Sequence, residues 1–282
     1  MVFSSPFCLD YLFSRWDLLS GGKWMDLGLK GRTALVTGGS KGIGRAVAER
    51  LAEEGVNLHL AARGMEALQA AAAQIHASHG VAVAVHEVDL ARRGVPEALG
   101  EACAGVDILV NNAGAIPTGG IAEVDADAWR TGWDLKVFGA IDLTRRVYAA
   151  MKERRRGVIV NVIGLSTARP ARYMAGATAN AALNAFTRAL GGASMDDGIR
   201  VVGVNPGWIR TERMVGMLRA QAEKRFGDEE RWVELLKGQP APGEPAQVAD
   251  MVAFLASERA AHVSGTVINV DGGASARGGI PV

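Results

Sequence analysis

The sequence predicts an α/β fold: one doubly wound parallel sheet with helices on both faces. Short, nearly continuous apolar runs alternate with longer helical stretches from Thr33 to Val270. The first run turns through glycines directly into a helix. Residues capable of binding or chemistry then cluster just after the runs, where open parallel sheets hold their ligands.

The first predicted strand is Thr33 to Thr37, followed by Gly38-Gly39-Ser40-Lys41-Gly42-Ile43-Gly44 and an amphipathic helix from Arg45 to Glu54. Asn57 to Ala61 reads as the second strand, Met65 to His79 as a helix, and Val81 to Val85 as the third strand. Val95 to Ala104 is helical with Pro96 near its first turn, and Asp107 to Val110 is the fourth strand. One long helix is predicted over Asp125 to Arg154, its basic end suited to a helix C-terminus. Val158 to Val162, a helix over Ala175 to Met195, and Val201 to Val204 follow. Thr211 to Leu236 reads as polar helix, Gln247 to Ala256 as helix, and Val267 to Val270 as the last strand. Right-handed crossovers make such an alternation doubly wound.

Composition narrows the function classes. Of 282 residues, 49% are hydrophobic and 22% charged, with a formal net charge of +1, so nothing suggests a nucleic-acid footprint or a disordered tail. Two cysteines, Cys8 and Cys103, make no disulfide framework and no cysteine-based metal site. His76 and His79 on a polar helix end read as solvated surface, and no metal site is expected. No apolar run is long enough for a bilayer, so a cytoplasmic setting without membrane or nucleic-acid partners is expected. Met1 to Trp24 reads as an extension ahead of a single domain over 25–282; its aromatic residues are interrupted by Asp10, Arg15 and Asp17, unlike a secretory signal.

The glycine turn has the form of an anion site. First-turn N–H groups lack intrahelical partners, the helix dipole adds positive charge, and absent Cβ atoms allow a pyrophosphate to approach the backbone. Gly38, Ser40, Lys41, Ile43 and Gly44 are therefore cofactor-binding candidates. The second strand ends in Ala61-Ala62-Arg63, where a site for NAD carries an acidic residue. Lys41 and Arg63 instead offer two cations to a 2′-phosphate, favouring NADP(H) over NAD(H). Asp89-Leu90 follows the third strand, where a carboxylate can reach the adenine amino group, and Asn111-Asn112-Ala113-Gly114 follows the fourth.

Four ordered motifs resemble the short-chain dehydrogenase/reductase family. They are Thr37-Gly38-x-x-x-Gly42-Ile43-Gly44, Asn111-Asn112-Ala113-Gly114, Asn205-Pro206-Gly207-x-x-x-Thr211, and Ser264-Gly265 through Asp271-Gly272-Gly273. The resemblance implies a Rossmann-like sheet, a nicotinamide cofactor, hydride exchange with a small-molecule substrate, and a homodimer or homotetramer. It further implies that Asn112 and Gly114 line the cofactor, and that Pro206, Gly207, Ile209 and Thr211 hold its nicotinamide and pyrophosphate end.

The family's reaction centre is a serine, Tyr-x-x-x-Lys and a helix asparagine, and this sequence departs from it throughout. The run Ala181-Ala182-Leu183 places Asn180 in the lysine position, Gly176 in the tyrosine position and Gly164 in the serine position; Lys136 stands where the asparagine is expected. Lysine and asparagine have thus exchanged places. Tyr173, seven residues before Asn180, resembles the wider spacing of the enoyl-acyl-carrier-protein reductase branch and could reach substrate from about one turn earlier. An unperturbed phenol has a pKa of about 10, so acid–base work at neutral pH needs a nearby ammonium. The candidates are Tyr173 as acid/base, Lys136 as its electrostatic partner, Asn180 toward the ribose, and Ser166 in place of the lost serine. Ser166 and Thr167 are equally readable as loop caps.

Residues 211–243 read as a substrate lid, with Trp208, Met214 and Met217 as an apolar wall and Arg169, Arg172, Arg210 and Arg213 near its mouth. The leading expectation is an NADP(H)-dependent oxidoreductase acting on a carbonyl/alcohol pair. Its rivals are a double-bond reductase of the enoyl type and a dinucleotide-binding sensor or structural protein with little catalysis.

Overall fold

The computed structural model describes residues 25–165, 170–237 and 241–277. Within them one parallel sheet is ordered β3-β2-β1-β4-β5-β6-β7. Its strands are β1 (Thr33–Thr37), β2 (Asn57–Ala62), β3 (Val83–Glu87), β4 (Ile108–Asn111), β5 (Gly157–Val162), β6 (Ile199–Pro206) and β7 (Val267–Val270). The order reverses between β1 and β4, which opens a crevice at their C-terminal ends. The doubly wound, Rossmann-like fold expected from the sequence is the fold observed.

The central strands are apolar on both sides because both faces are covered. Ala34 and Val36 of β1 point into a core with α1 (Gly42–Glu53), α2 (Met65–His79) and α8 (Pro245–Ala256). Leu35, between them, points to the opposite core with α3 (Val95–Ala102) and α5 (Gly139–Glu153). This two-sided burial explains why the strands read as unbroken apolar runs rather than alternating ones.

The departures from expectation have local causes. β3 lies two residues later than predicted, at Val83–Glu87, because β2 continues to Ala62 and pairs it with Glu87. β3 is an edge strand and carries the polar residues His86 and Glu87. The predicted lid helix is split: α7 (Glu212–Phe226) stops at Gly227, whose left-handed backbone (φ 69°) caps it, and a 3₁₀ segment follows over Glu229–Leu236. The predicted helix over Asp125 to Arg154 is α4 (Ala126–Trp133), a π-helical turn at Asp134–Phe138, and α5. Lys136 is the middle residue of that wider turn. Residues 1–24, Ser166, Thr167, Arg169 and Pro240 lie outside the described residues.

Candidate active site

The dinucleotide cradle is built by β1, its glycine turn and the end of β4. Gly38 and Gly42 take positive φ (67° and 59°), which L side chains rarely adopt. A Cβ at Gly44 would collide with the Gly38 carbonyl and the Asn112 amide. Thr37 Oγ1 donates to Val110 O (3.3 Å) and accepts from Asn112 N–H (2.9 Å) and Ala113 N–H (3.0 Å), closing the crevice floor. Asn112 Nδ2 donates to Thr37 O at 3.0 Å, so its side chain holds the turn itself. Lys41 stands at the N-cap of α1 and places no side-chain oxygen on the first-turn N–H groups. Those donors and the close-packed glycines fit a pyrophosphate.

The other cofactor candidates gather around this cradle. Thr211 caps α7, its Oγ1 accepting from Met214 N–H at 3.2 Å, and its methyl would lie 3.5 Å from a Cβ on Gly42. Gly207 donates its N–H to Val270 O (2.9 Å) and is packed against Asp271, which fixes the chain between Pro206 and Ile209. Ile209 and Leu90 are buried. Asp89 Oδ1 accepts from Ala91 N–H at 3.1 Å, shaping its own turn. Lys41 and Arg63 are exposed, and neither has an ion-pair partner among the described residues. Glu87, unremarked in the sequence, accepts from Met65 N–H at 3.1 Å at the start of α2, two residues after Arg63.

Lys136 and Asn180 meet, although 44 residues apart. Lys136 Nζ donates to Asn180 Oδ1 (2.6 Å) and Ile163 O (2.7 Å), and Asn180 Nδ2 donates to Leu165 O (3.1 Å). The π turn aims the lysine at the end of β5, and its stem lies on Gly114, where a Cβ would come within 3.2 Å of Lys136 Cδ. The stem remains partly exposed while the charged end is enclosed. Burial, assisted by the like charge of Arg213, pulls the Lys136 ammonium from 10.5 to about 7. Its two carbonyl contacts act in the opposite sense by accepting from the charged form. Gly164 crosses this pair at φ 121°, with Asn180 Nδ2 at 3.1 Å from where a Cβ would be. A serine in this backbone conformation would be strained.

Tyr173 precedes α6 (Met174–Ala193) and is half-buried. Its ring covers Gly176, and a Cβ at 176 would fall among its Cζ, Cε1 and Cε2 atoms. The phenol thus occupies space that a side chain at 176 would take. Burial raises the Tyr173 pKa and the Arg213 charge lowers it. Among the described residues the Tyr173 hydroxyl has no hydrogen-bond partner, and the Lys136 ammonium donates to Ile163 O and Asn180 Oδ1 rather than to it. Arg213 of α7 bridges to the segment after β4, donating to Gly114 O (2.9 Å) and Ile116 O (3.0 Å). Arg210 pairs with Glu244 at 2.9 Å. These two predicted mouth arginines are therefore engaged within the protein. The apolar wall is partial: Met214 is buried, while Met217 is 48% exposed.

A polar chain missed in the sequence supports the site from below. Asn111 Nδ2 donates to Thr144 Oγ1 and to Asn161 Oδ1, each at 2.9 Å, and Asn161 Nδ2 donates to Thr187 Oγ1 at 2.9 Å. All four residues are buried.

The sheet order, the glycine cradle and the motif at the end of β4 define a dinucleotide-dependent oxidoreductase of the Rossmann type. The family model described as short chain dehydrogenase matches residues 32–222, and the chain belongs to that family. It is 32% identical over 254 residues to the 3-oxoacyl-(acyl-carrier-protein) reductase FabG of Vibrio cholerae, covering 88% of this chain and 98% of the relative. It is 30% identical over 258 residues to the D-beta-hydroxybutyrate dehydrogenase of Cupriavidus necator, covering 87% and 98%. Among solved structures it is similar to L-sorbose reductase from Gluconobacter frateurii complexed with NADPH and L-sorbose: TM-score 0.82, 32% identity, 88% of this chain and 98% of that one.

Proposed function

We propose that the chain is an NADP(H)-dependent reductase of a small carbonyl compound, working through Tyr173, Lys136 and Asn180. The observation that carries the reading is Lys136 itself: an enclosed ammonium at the end of β5, held by Asn180 Oδ1 and Ile163 O and brought to about 7. A group poised there exchanges protons efficiently at neutral pH. The bound dinucleotide supplies a hydride, and what remains for the protein is to orient the carbonyl and provide a proton to its oxygen. Tyr173 gives that proton, and Lys136 favours the resulting phenolate and restores the proton through water. Asn180 anchors the ammonium through its Oδ1 and donates one N–H to Leu165 O, leaving the second N–H to serve the ribose.

Preference for the 2′-phosphate rests on Lys41 and Arg63 and on the neutral Ala62. NADPH in the L-sorbose reductase structure supports it. Ser166 is retained in the proposal as a contact to the substrate oxygen. The activities named for the relatives, on 3-oxoacyl-acyl-carrier-protein, D-beta-hydroxybutyrate and L-sorbose, point to ketones bearing a second oxygen function. Residues 25–282 act as one domain with a substrate lid at 211–243, following an extension at 1–24. A cytoplasmic homodimer or homotetramer completes it: Cys103 is a free buried thiol, and half-exposed Phe138 offers apolar surface for a subunit contact. No helix of the described residues is long and apolar enough to cross a membrane.

The test is NADPH oxidation over a panel of ketoses and 3-oxoacyl thioesters. Turnover that falls about 10²–10⁴-fold in both Tyr173→Phe and Lys136→Met supports the assignment. Turnover retained in both refutes it, and no turnover on any carbonyl favours the sensor reading.

A further inference from the structure

Away from the crevice, His59 of β2, His86 of β3 and Cys103 at the end of α3 converge on the face of the sheet covered by α3 and α5. His59 Nδ1 and His86 Nε2 are 2.9 Å apart, and Cys103 Sγ is 3.6 Å from each. Cys103 is buried and the two imidazoles are half-buried. Nothing in the reduction described above uses these side chains.

From these three side chains we infer a transition-metal site of the zinc class, with His59 Nδ1, His86 Nε2 and Cys103 Sγ as ligands. Tetrahedral zinc, with Zn–N of about 2.0–2.1 Å and Zn–S of about 2.3 Å, sets ligand separations of about 3.3–3.4 Å for N to N and about 3.5–3.6 Å for S to N. Both sulfur–nitrogen distances already meet that geometry. The two nitrogens need to open by only a few tenths of an ångström. Thiolate with imidazole is a donor set that suits zinc and disfavours magnesium or calcium. Among the described residues no further His, Cys or carboxylate joins the group, which leaves water for the fourth position.

The proton balance is simple. Coordination needs the lone pairs of His59 Nδ1 and His86 Nε2, so both rings carry their proton on the other nitrogen. The ring that donates between the facing nitrogens changes tautomer with no net loss of a proton, and the Cys103 thiol proton leaves to solvent as the ion enters. The ion would tie edge strand β3 to β2 and α3, so its role is structural.

Cobalt(II) titration of the chelator-treated full-length protein, followed by zinc displacement, tests the inference. Expected are one equivalent per chain, a thiolate-to-cobalt charge-transfer band with tetrahedral d–d bands, and loss of both on adding zinc. Cys103→Ser removes the charge-transfer band, and His86→Asn weakens affinity at least tenfold, on the order of a lost metal contact. His79→Asn, whose ring lies by Glu49 instead, changes neither. If Cys103→Ser does not fold, His59→Gln takes its place and is expected to weaken affinity as His86→Asn does. Absence of a charge-transfer band, or equal affinity in wild type and the ligand variants, overturns the site and leaves a hydrogen-bonded histidine pair.

Discussion

At the scale of single residues, Lys136 is where burial, hydrogen bonding and charge compete. Its folded pKa of about 7 lies below the ordinary 10.5. Between these values the unfolded chain binds a proton that the folded chain does not, so stability rises with pH across that window. Below about 7 both states hold the proton, and the cost of enclosing the charge is present in full. Denaturation midpoints measured from pH 7 to 10 are expected to rise in the wild type and to flatten in Lys136→Met. Gly176 is the second informative residue. Gly176→Ala places a Cβ inside the Tyr173 ring and must expel it; turnover is expected to drop at least tenfold on the general-acid scale, with NADPH affinity unchanged by fluorescence titration.

At the scale of elements, what is contiguous in the chain was legible in the sequence and what is assembled across it was not. The first strand, glycine turn and helix lie within Thr33–Glu53, and their order alone indicates a phosphate cradle. Met65–His79 and Val267–Val270 match their predicted limits because glycine ends the one and Asp-Gly-Gly the other. The π turn at Asp134–Phe138 carries no such mark: its residues keep helical spacing, and the turn's middle residue, Lys136, bonds groups after β5 and on α6 that lie far along the chain. The exchange of lysine and asparagine was visible as a pattern, yet the contact itself depends on two helices packing side by side. His59, His86 and Cys103 were invisible as a set because they come from three elements. The Asn111–Asn161–Thr187 chain joins β4, β5 and α6 in the same way. Asn161→Leu leaves buried partners unpaired and is expected to cost about 1–3 kcal/mol, read as a lower denaturation midpoint at unchanged slope.

At the scale of the whole molecule, one end of the sheet collects everything the reaction needs. The crevice between β1 and β4 is the proposed dinucleotide site, the π turn and the start of α6 carry the proposed proton-handling groups Lys136 and Tyr173, and Arg213 fastens α7 over Gly114. Dinucleotide binding therefore stabilises the fold by mass action, and NADPH is expected to raise the melting temperature more than NADH at equal concentration. Arg63→Glu should reverse that order, since a carboxylate at the end of β2 repels the 2′-phosphate and accepts from ribose hydroxyls. An unchanged order in the variant contradicts the assignment of Arg63. The central claim is that an ammonium on the helix before β5 replaces the one missing from α6. The pH dependence of carbonyl reduction in wild type and Lys136→Met tests it most directly. The wild-type rate is expected to fall as pH rises through about 7, where Lys136 loses its proton, and the variant is expected to be slow and to lack that step. An identical step near 7 in Lys136→Met would contradict the claim.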